Sequence, residues 1–414
     1  MSLNYPRMFL LFTGAMLLFT GAPFASAQME GREAREDNGQ RRREFRLPNS
    51  VDDYAQPPLH GRANGSAGPT FGLQPATVRH VYGFDALANQ GSGQVIGIVD
   101  AYDDPDAEAD LAVFSKQFNL PACTSSNGCF RKIFAAGRQP AVDAGWSMEM
   151  ALDIEWAHAL APQARIVLVE AASNRMSDLL YGVDIAVRNG ASVVSLSWGC
   201  PEYSGERGDD AHFSINGVTF TSASGDNGSG VQYPSASPFV VGIGGTSLTI
   251  SGMNYGSEVA WAGSGGGQSS VEFEPVFQAM FPAPSDGRGR RGIPDVAFDG
   301  DPSTGFAIYD SVAYEGYTGW FEVGGTSAGA PQWAALFAIA NSMRVALRKR
   351  LLNATPAMLY TIAKSNYSSD FHDIGSGTNG RCGALCSAGA KYDYVTGLGT
   401  PKACTLIPAL VSQP

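Results

Sequence analysis

Three short stretches of this 414-residue chain carry residue types able to break an acyl bond. Residues 324–331 (GGTSAGAP) run directly into 332–343, a stretch of Trp, Ala, Leu, Phe and Ile that reads as a helix. Ser327 therefore sits near a helix N-terminus. Its small neighbours let a carbonyl reach the hydroxyl, and free N–H groups at the helix start can hold developing negative charge. Taken alone, such a serine is equally an ordinary helix cap. A second stretch, 146–162 (WSMEMALDIEWAHALAP), reads as a helix on which Glu149 and Asp153 stand four residues apart and face the same way. Two like charges so placed repel unless they share a proton, and sharing raises one pKa, as suits a base that must later act as an acid. The plain alternative is a pair of carboxylates on a solvated face. The third stretch, 221–230 (TSASGDNGSG), presents Asp226 from a Gly/Ser loop. An Asp there is either a turn former or a carboxylic acid kept neutral so that it donates a hydrogen bond to an oxyanion.

The elements that must position these groups follow from short apolar runs. Residues 94–99 (QVIGIV), 164–170 (ARIVLVE), 192–197 (SVVSLS), 217–222 and 239–242 read as buried strands, and 106–118 and 179–188 as helices between them. Such alternation implies an α/β fold with a mostly parallel sheet. Each strand ends at a Ser, Gly or Asp cluster, and ligands bind at the carboxyl ends of strands in such sheets.

A formal net charge of −11 argues against nucleic acid or an anionic membrane as the main partner. Residues 1–27 read as a secretory signal, with Arg7, an apolar core over 8–19 and Ala25-Ser26-Ala27 as the cleavage site. Residues 28–70 are polar and Arg-rich, as expected of a flexible leader or short propeptide, and the folded domain is expected over 71–414. Export permits disulfides among the six cysteines. Close spacing favours Cys123 with Cys129 and Cys382 with Cys386, leaving Cys200 and Cys404 to pair. Six cysteines nonetheless allow about 15 connectivities, so spacing alone leaves the pairing open.

In order, spacing and residue type, most of the chain from 71 to 401 resembles the sedolisin family of serine-carboxyl peptidases. The segments concerned are TVRHVYGF, GQVIGIVDAYDDPD, MEMALDIE, SLSWG, SASGDNGS, RGIPDVAFDGDPSTGFAIY, GGTSAGAPQWAA and TGLGTP. The resemblance implies a subtilisin-like three-layer fold and a monomeric endopeptidase acting on protein or peptide substrates, and the signal sequence implies a secreted or periplasmic location. By position it would make Ser327 the nucleophile, Glu149 the general base and then acid, Asp153 the residue orienting Glu149, and Asp226 the oxyanion donor. Asp100 and Trp198 resemble outer support for the Glu149 and Asp153 pair. It also implies one structural calcium ion, held by the carboxylates of Asp373 and Asp393 and the carbonyls of Ile374, Gly389 and Lys391. The family usually has glycine where this chain has Lys391, and a long folded prodomain where only about 40 residues separate signal and catalytic segment. The shorter leader puts self-maturation in question and motivates the alternative of an inactive binding protein on the same fold.

Histidine chemistry does not compete. None of the five histidines, His60, His80, His158, His212 and His372, opens a helix beside glycines, and His158 lies about half a turn away from Glu149 on their common helix. It is expected to be peripheral. With ordinary carboxyl pKa values near 4, Glu149 and Asp226 could not hold protons at neutral pH unless both were raised well above that range, so the sequence implies an optimum of roughly pH 3 to 5.

Overall fold

The chain's computed structural model describes residues 54–63, 72–281 and 288–414. The expected signal sequence over 1–27 and the expected leader up to residue 53 lie outside these. One strand, β1 (His60–Ala63), precedes the central sheet. In chain order there follow β2 (Val95–Ala101), α1 (Ala107–Gln117), β3 (Phe130–Phe134), α2 (Ala144–Leu160), β4 (Arg165–Ala171), α3 (Met176–Arg188) and β5 (Val193–Leu196). Next come β6 (Thr219–Ala223), β7 (Val240–Ser251), β8 (Asn254–Ala260), β9 (Val296–Asp299), β10 (Phe306–Tyr314), β11 (Tyr317–Gly324) and α4 (Gly329–Ala346). The sheet order is β8-β7-β6-β5-β2-β4-β3, with β9 also against β7. Every pairing in it is parallel except the β7–β8 hairpin.

Alternation along β2 sends its two faces to different helices. Gly97 and Val99 face α3, so closely that a Cβ on Gly97 would lie 3.0 Å from Ala186 Cβ, and one on Gly182 would lie 2.8 Å from Val99. Ile96, Ile98 and Asp100 therefore point to the other face, where α2 and α4 pack on each other and on β2. The result is a helix, sheet, helix sandwich.

Helix α2 is buried from Trp146 to Leu160. An all-apolar helix would suit that position, yet this one carries Glu149, Asp153, Glu155 and His158 into the interior. Asp143 caps it, with Oδ1 accepting the N–H groups of Gly145 and Trp146 at 3.0 and 3.1 Å. His158 points away from Glu149, as its helical phase requires, but is fully buried rather than peripheral, with Nε2 2.7 Å from the Pro121 carbonyl. Cys123 and Cys129 are bridged, as are Cys382 and Cys386. Cys200 and Cys404 do not form a third bridge: Cys200 is buried, whereas Cys404 is exposed on the C-terminal helix. A small antiparallel sheet in the order β1-β11-β10 closes one side. Residues 60–63 of the expected leader are thus a strand of the folded unit. Among the described residues no helix is long and apolar enough to cross a membrane.

Candidate active site

Ser327 lies in a single 3₁₀ turn, Thr326–Ala328, between the end of β11 and the start of α4. Gly325 enters that turn at φ 133°, a backbone setting in which a side chain would be strained. A Cβ there would also collide with the Pro58 carbonyl oxygen and with Asp226 Oδ2. The glycine is what lets three segments meet beside the serine.

Glu149 and Asp153 come from α2, Asp100 from the end of β2, and all three side chains are fully buried. Of their six carboxyl oxygens only Asp153 Oδ1 is hydrogen bonded, accepting from the Ser197 hydroxyl at 2.7 Å. Ser197 Oγ also lies 3.3 Å from the Ser327 carbonyl oxygen and so ties the carboxyl cluster to the serine turn. The Ser327 hydroxyl is near enough to favour the ionised form of Glu149, yet neither group completes a hydrogen bond with the other. Burial, followed by the charges of Asp153 and Asp100, pushes Glu149 well above the usual carboxyl range. Burial does the same to Asp153, against the Ser197 hydroxyl, and to Asp100, with Asp153 adding to it. Three carboxyls so placed cannot all ionise, and the group must hold protons in common.

Asp226 stands on the far side of the serine turn. Its Oδ1 accepts the Thr326 N–H at 2.8 Å and the Thr326 hydroxyl at 2.9 Å, which fixes the carboxyl plane. Its Oδ2 has no hydrogen-bond partner and lies 3.4 Å from His60 Nε2. Burial pushes Asp226 up to about 8, with the Thr326 N–H and hydroxyl opposing it. In this environment the carboxyl is neutral through the acid range and can donate a hydrogen bond from Oδ2. Enclosure thus raises both Glu149 and Asp226 above the ordinary carboxyl range.

Ser327, Asp153, Asp100 and Asp226 all lie near enough to Glu149 to act on its carboxyl. The indole N–H of Trp198 donates to the Val99 carbonyl at 2.7 Å, next to Asp100, and not to a carboxyl. Its neighbour Ser197 makes the contact instead. Neither Ser197 nor Thr326 was singled out from the sequence, although both stand inside the motifs SLSWG and GGTSAGAP.

The expected metal ligands gather in a different place, around the loop that follows Gly389. Asp373 Oδ1 accepts the Tyr367 hydroxyl at 2.9 Å and the Lys391 N–H at 2.8 Å, and the Lys391 carbonyl oxygen is 2.8 Å from the same hydroxyl. Asp393 takes the Gly389 N–H on Oδ2 and those of Val395 and Thr396 on Oδ1. Tyr367 is pushed up by burial and then by both aspartates, so the two charges bear on one hydroxyl. No basic side chain pairs with either carboxylate among the described residues. Two carboxylates and a carbonyl with no cationic partner suit a hard cation. Lys391 takes φ 69°, the backbone setting a glycine would adopt without strain.

A family model described as the subtilase family matches residues 144–377. Kumamolisin of Bacillus sp. (strain MN-32) is 34% identical over 84% of this chain and 65% of its own. Sedolisin of Pseudomonas sp. (strain 101) is 32% identical over 51% of this chain and 39% of its own. The chain thus spans less than two thirds of the length of either relative. Among solved structures, Pseudomonas sedolisin, described as a serine-carboxyl proteinase complexed with two molecules of pseudo-iodotyrostatin, superposes with a TM-score of 0.70 at 26% identity. That match covers 84% of this chain and 100% of the other.

Proposed function

The chain belongs to the subtilase family, in its sedolisin (serine-carboxyl) branch, and on that premise we propose that it is an extracytoplasmic, acid-active endopeptidase with Ser327 as nucleophile. The observation that carries this reading is the burial of the Ser327 hydroxyl beside a Glu149 carboxyl whose two oxygens have no other partner.

In the proposed reaction an ionised Glu149 takes the proton of Ser327 Oγ as Oγ bonds to the carbonyl carbon of the substrate. The carbonyl oxygen becomes an oxyanion, which the Asp226 carboxyl and backbone N–H of the serine turn stabilise by hydrogen bonds. Glu149 then gives its proton to the departing amine as the C–N bond breaks, leaving an acyl group on Ser327. Water attacks that ester with its proton going to Glu149, the oxyanion forms again, and the acid leaves as Oγ recovers the proton. Asp153 and Asp100 share protons with Glu149, and Ser197 fixes Asp153 in the orientation this requires.

The acid preference follows from opposite demands. Asp226 must be protonated, so activity is lost as pH rises through its pKa, about 8 in the enclosed site. Glu149 must be ionised, so activity is gained as pH rises through the first ionisation of the carboxyl cluster. The two limbs together keep the window below about 8, with its acid edge set by the first ionisation of the carboxyl cluster. The deciding experiment is cleavage of denatured protein by the purified chain between about pH 2.5 and 8, beside Ser327→Ala and Glu149→Ala. Acid-limited activity lost in both variants is expected. Neutral activity surviving Glu149→Ala would reassign the base, and a folded chain inactive at every pH would be a binding protein on this fold.

Asp373, Asp393 and the loop carbonyls, Lys391 among them, are proposed to hold one calcium ion with a structural role. Such an ion neutralises the paired aspartates and joins residues 373–374 to the 389–393 loop. Chelation by EGTA is expected to lower the melting temperature by several degrees, with recovery on calcium but not magnesium addition. An unchanged melting temperature would remove calcium from the reading.

A further inference from the structure

The ten residues 54–63 cross the site from end to end, and their contacts describe how a polypeptide is held there. On the upstream side, the Ala55 N–H donates to the Asn174 carbonyl oxygen at 2.8 Å and Asn174 Nδ2 donates to the Ala55 carbonyl oxygen at 2.8 Å. Gln56 and Gly199 then exchange both backbone hydrogen bonds, at 3.0 and 3.2 Å. On the downstream side, His60 lies opposite Gly324 in the antiparallel β1–β11 pair. Between these two rails the Pro58 carbonyl oxygen presses on Gly325, two residues from Ser327 and next to Asp226 Oδ2. Counting from that carbonyl as the one presented for attack, Ala55 is the fourth residue upstream and Tyr54 the fifth.

We propose that Asn174 is a substrate-positioning residue which clamps the backbone of the fourth residue upstream of the cleaved bond, so that the enzyme requires chains extending at least that far. The inference rests on the peptidase reading above. Asn174 is itself held: the Tyr102 hydroxyl donates to its Oδ1 at 3.0 Å, which directs Nδ2 towards the cleft. Tyr102 does this at φ 69°, a left-handed setting uncommon for an aromatic residue and one that places its ring at the end of β2. The clamp uses main-chain atoms of the bound peptide and is indifferent to its sequence. The position is not indifferent to size, because Ala55 is completely enclosed. A small fourth residue is therefore preferred. Nothing closes the track beyond it, since Tyr54 continues it by bridging to Arg175. A chain is thus held from its middle, and a free amino terminus is not what the cleft recognises.

The test uses internally quenched peptides that differ only in having three, four or six residues before the cleaved bond, assayed on the full-length chain and on Asn174→Ala and Tyr102→Phe. Segment 54–63 competes equally with every peptide, so the ratio of kcat/KM between lengths is independent of how much of it remains bound. Going from three to four residues is expected to raise kcat/KM about tenfold, mainly through KM, as two added hydrogen bonds would. Asn174→Ala removes the Nδ2 bond and leaves the main-chain one, so it should shrink that gain to about threefold, and Tyr102→Phe should lose a smaller part of it. Replacing Ala by Phe at the fourth position should abolish the gain in the wild type. Ser327-dependent cleavage with no gain at the fourth residue, or release of tripeptides from free amino termini only, overturns the clamp and leaves the peptidase reading intact. Absence of any Ser327-dependent cleavage overturns both. If Asn174→Ala does not fold, Tyr102→Phe, which removes one hydroxyl, carries the same comparison.

Discussion

Helix α2 turns carboxyls towards two different faces, and they are satisfied in different ways. Towards Ser327, Glu149 and Asp153 join Asp100, and five of the six oxygens have no hydrogen-bond partner. About a third of a turn away, Glu155 joins Asp104, Asp110 and Asp310 in a second buried group between α1, α2 and β10. There each carboxyl has an oxygen held by backbone. The Tyr309 N–H donates to Glu155 at 3.1 Å, Ser311 to Asp110 at 2.8 Å, Val312 to Asp310 at 2.8 Å and Asp106 to Asp104 at 3.0 Å. The first group spends folding stability to keep oxygens available, at a cost of order 1–3 kcal/mol for each unpaired buried group. In the second, Glu155 and Asp110 fasten β10 to α2 and α1. Burial alone therefore does not distinguish the two groups of carboxyls on α2; their hydrogen-bond partners do.

The sharpest way to break that comparison lies at Asp226, which belongs to both kinds. Its Oδ1 is fastened to Thr326 and its Oδ2 is open. Asp226→Ala removes the open donor and should lower kcat about 10²–10³-fold at the acid optimum. Asp226→Asn keeps an acceptor for Thr326 and offers an N–H at Oδ2, so it should lose less. It should also alter the alkaline limb, because an amide donates at every pH whereas the carboxyl donates only below its pKa of about 8. The check is kcat against pH for the three proteins. Equal losses with an unchanged alkaline limb would mean that Asp226 only fastens the turn.

How much of this was legible beforehand depended on range. Glu149, Asp153 and Ser327 stand within single helical turns, and i, i+4 spacing or a glycine-flanked serine can be read over a few residues. The strands of the central sheet were also legible, within one or two residues for β2, β4 and β5, because each is a short apolar run followed closely by Ser, Gly or Asp. Residues 54–63 were not, since Arg-rich polar composition pointed to a flexible leader and these residues dock chiefly through main-chain bonds, which composition does not encode. The Ser197 hydroxyl was missed in favour of Trp198, as strand alternation gives side-chain direction but not the length of reach to a carboxyl. The second carboxyl group was invisible because residues 104, 110, 155 and 310 meet only in three dimensions.

That second group gives the smaller prediction, with a sign opposite to the one ordinary ion-paired carboxylates produce. Burial raises Asp104 to about 7, with Asp110 adding to it; Asp110 to about 6; and Asp310 to about 7, with Asp104 and Asp110 adding. Glu155 is pushed up first by burial and then by Asp110, Asp310 and Asp104. In the unfolded chain all four titrate near 4. A folded-state pKa above the unfolded one contributes stability that is complete below about pH 4 and lost as pH rises through 6 to 7. The melting temperature of Ser327→Ala, used so that self-digestion plays no part, should therefore be highest in acid and fall by several degrees towards neutrality. Adding Glu155→Gln keeps an acceptor for the Tyr309 N–H and removes one proton-dependent charge from the middle of the group, so the fall should become shallower. The catalytic carboxyls are raised as well and leave a residual slope. Adding Glu149→Gln should reduce that slope further, which separates the two faces of α2 by their contributions to one curve. A melting temperature that instead climbs from pH 4 to 7 would show that the second group ionises without penalty, and the contrast between fastened and open carboxyls would then rest on Asp226 alone.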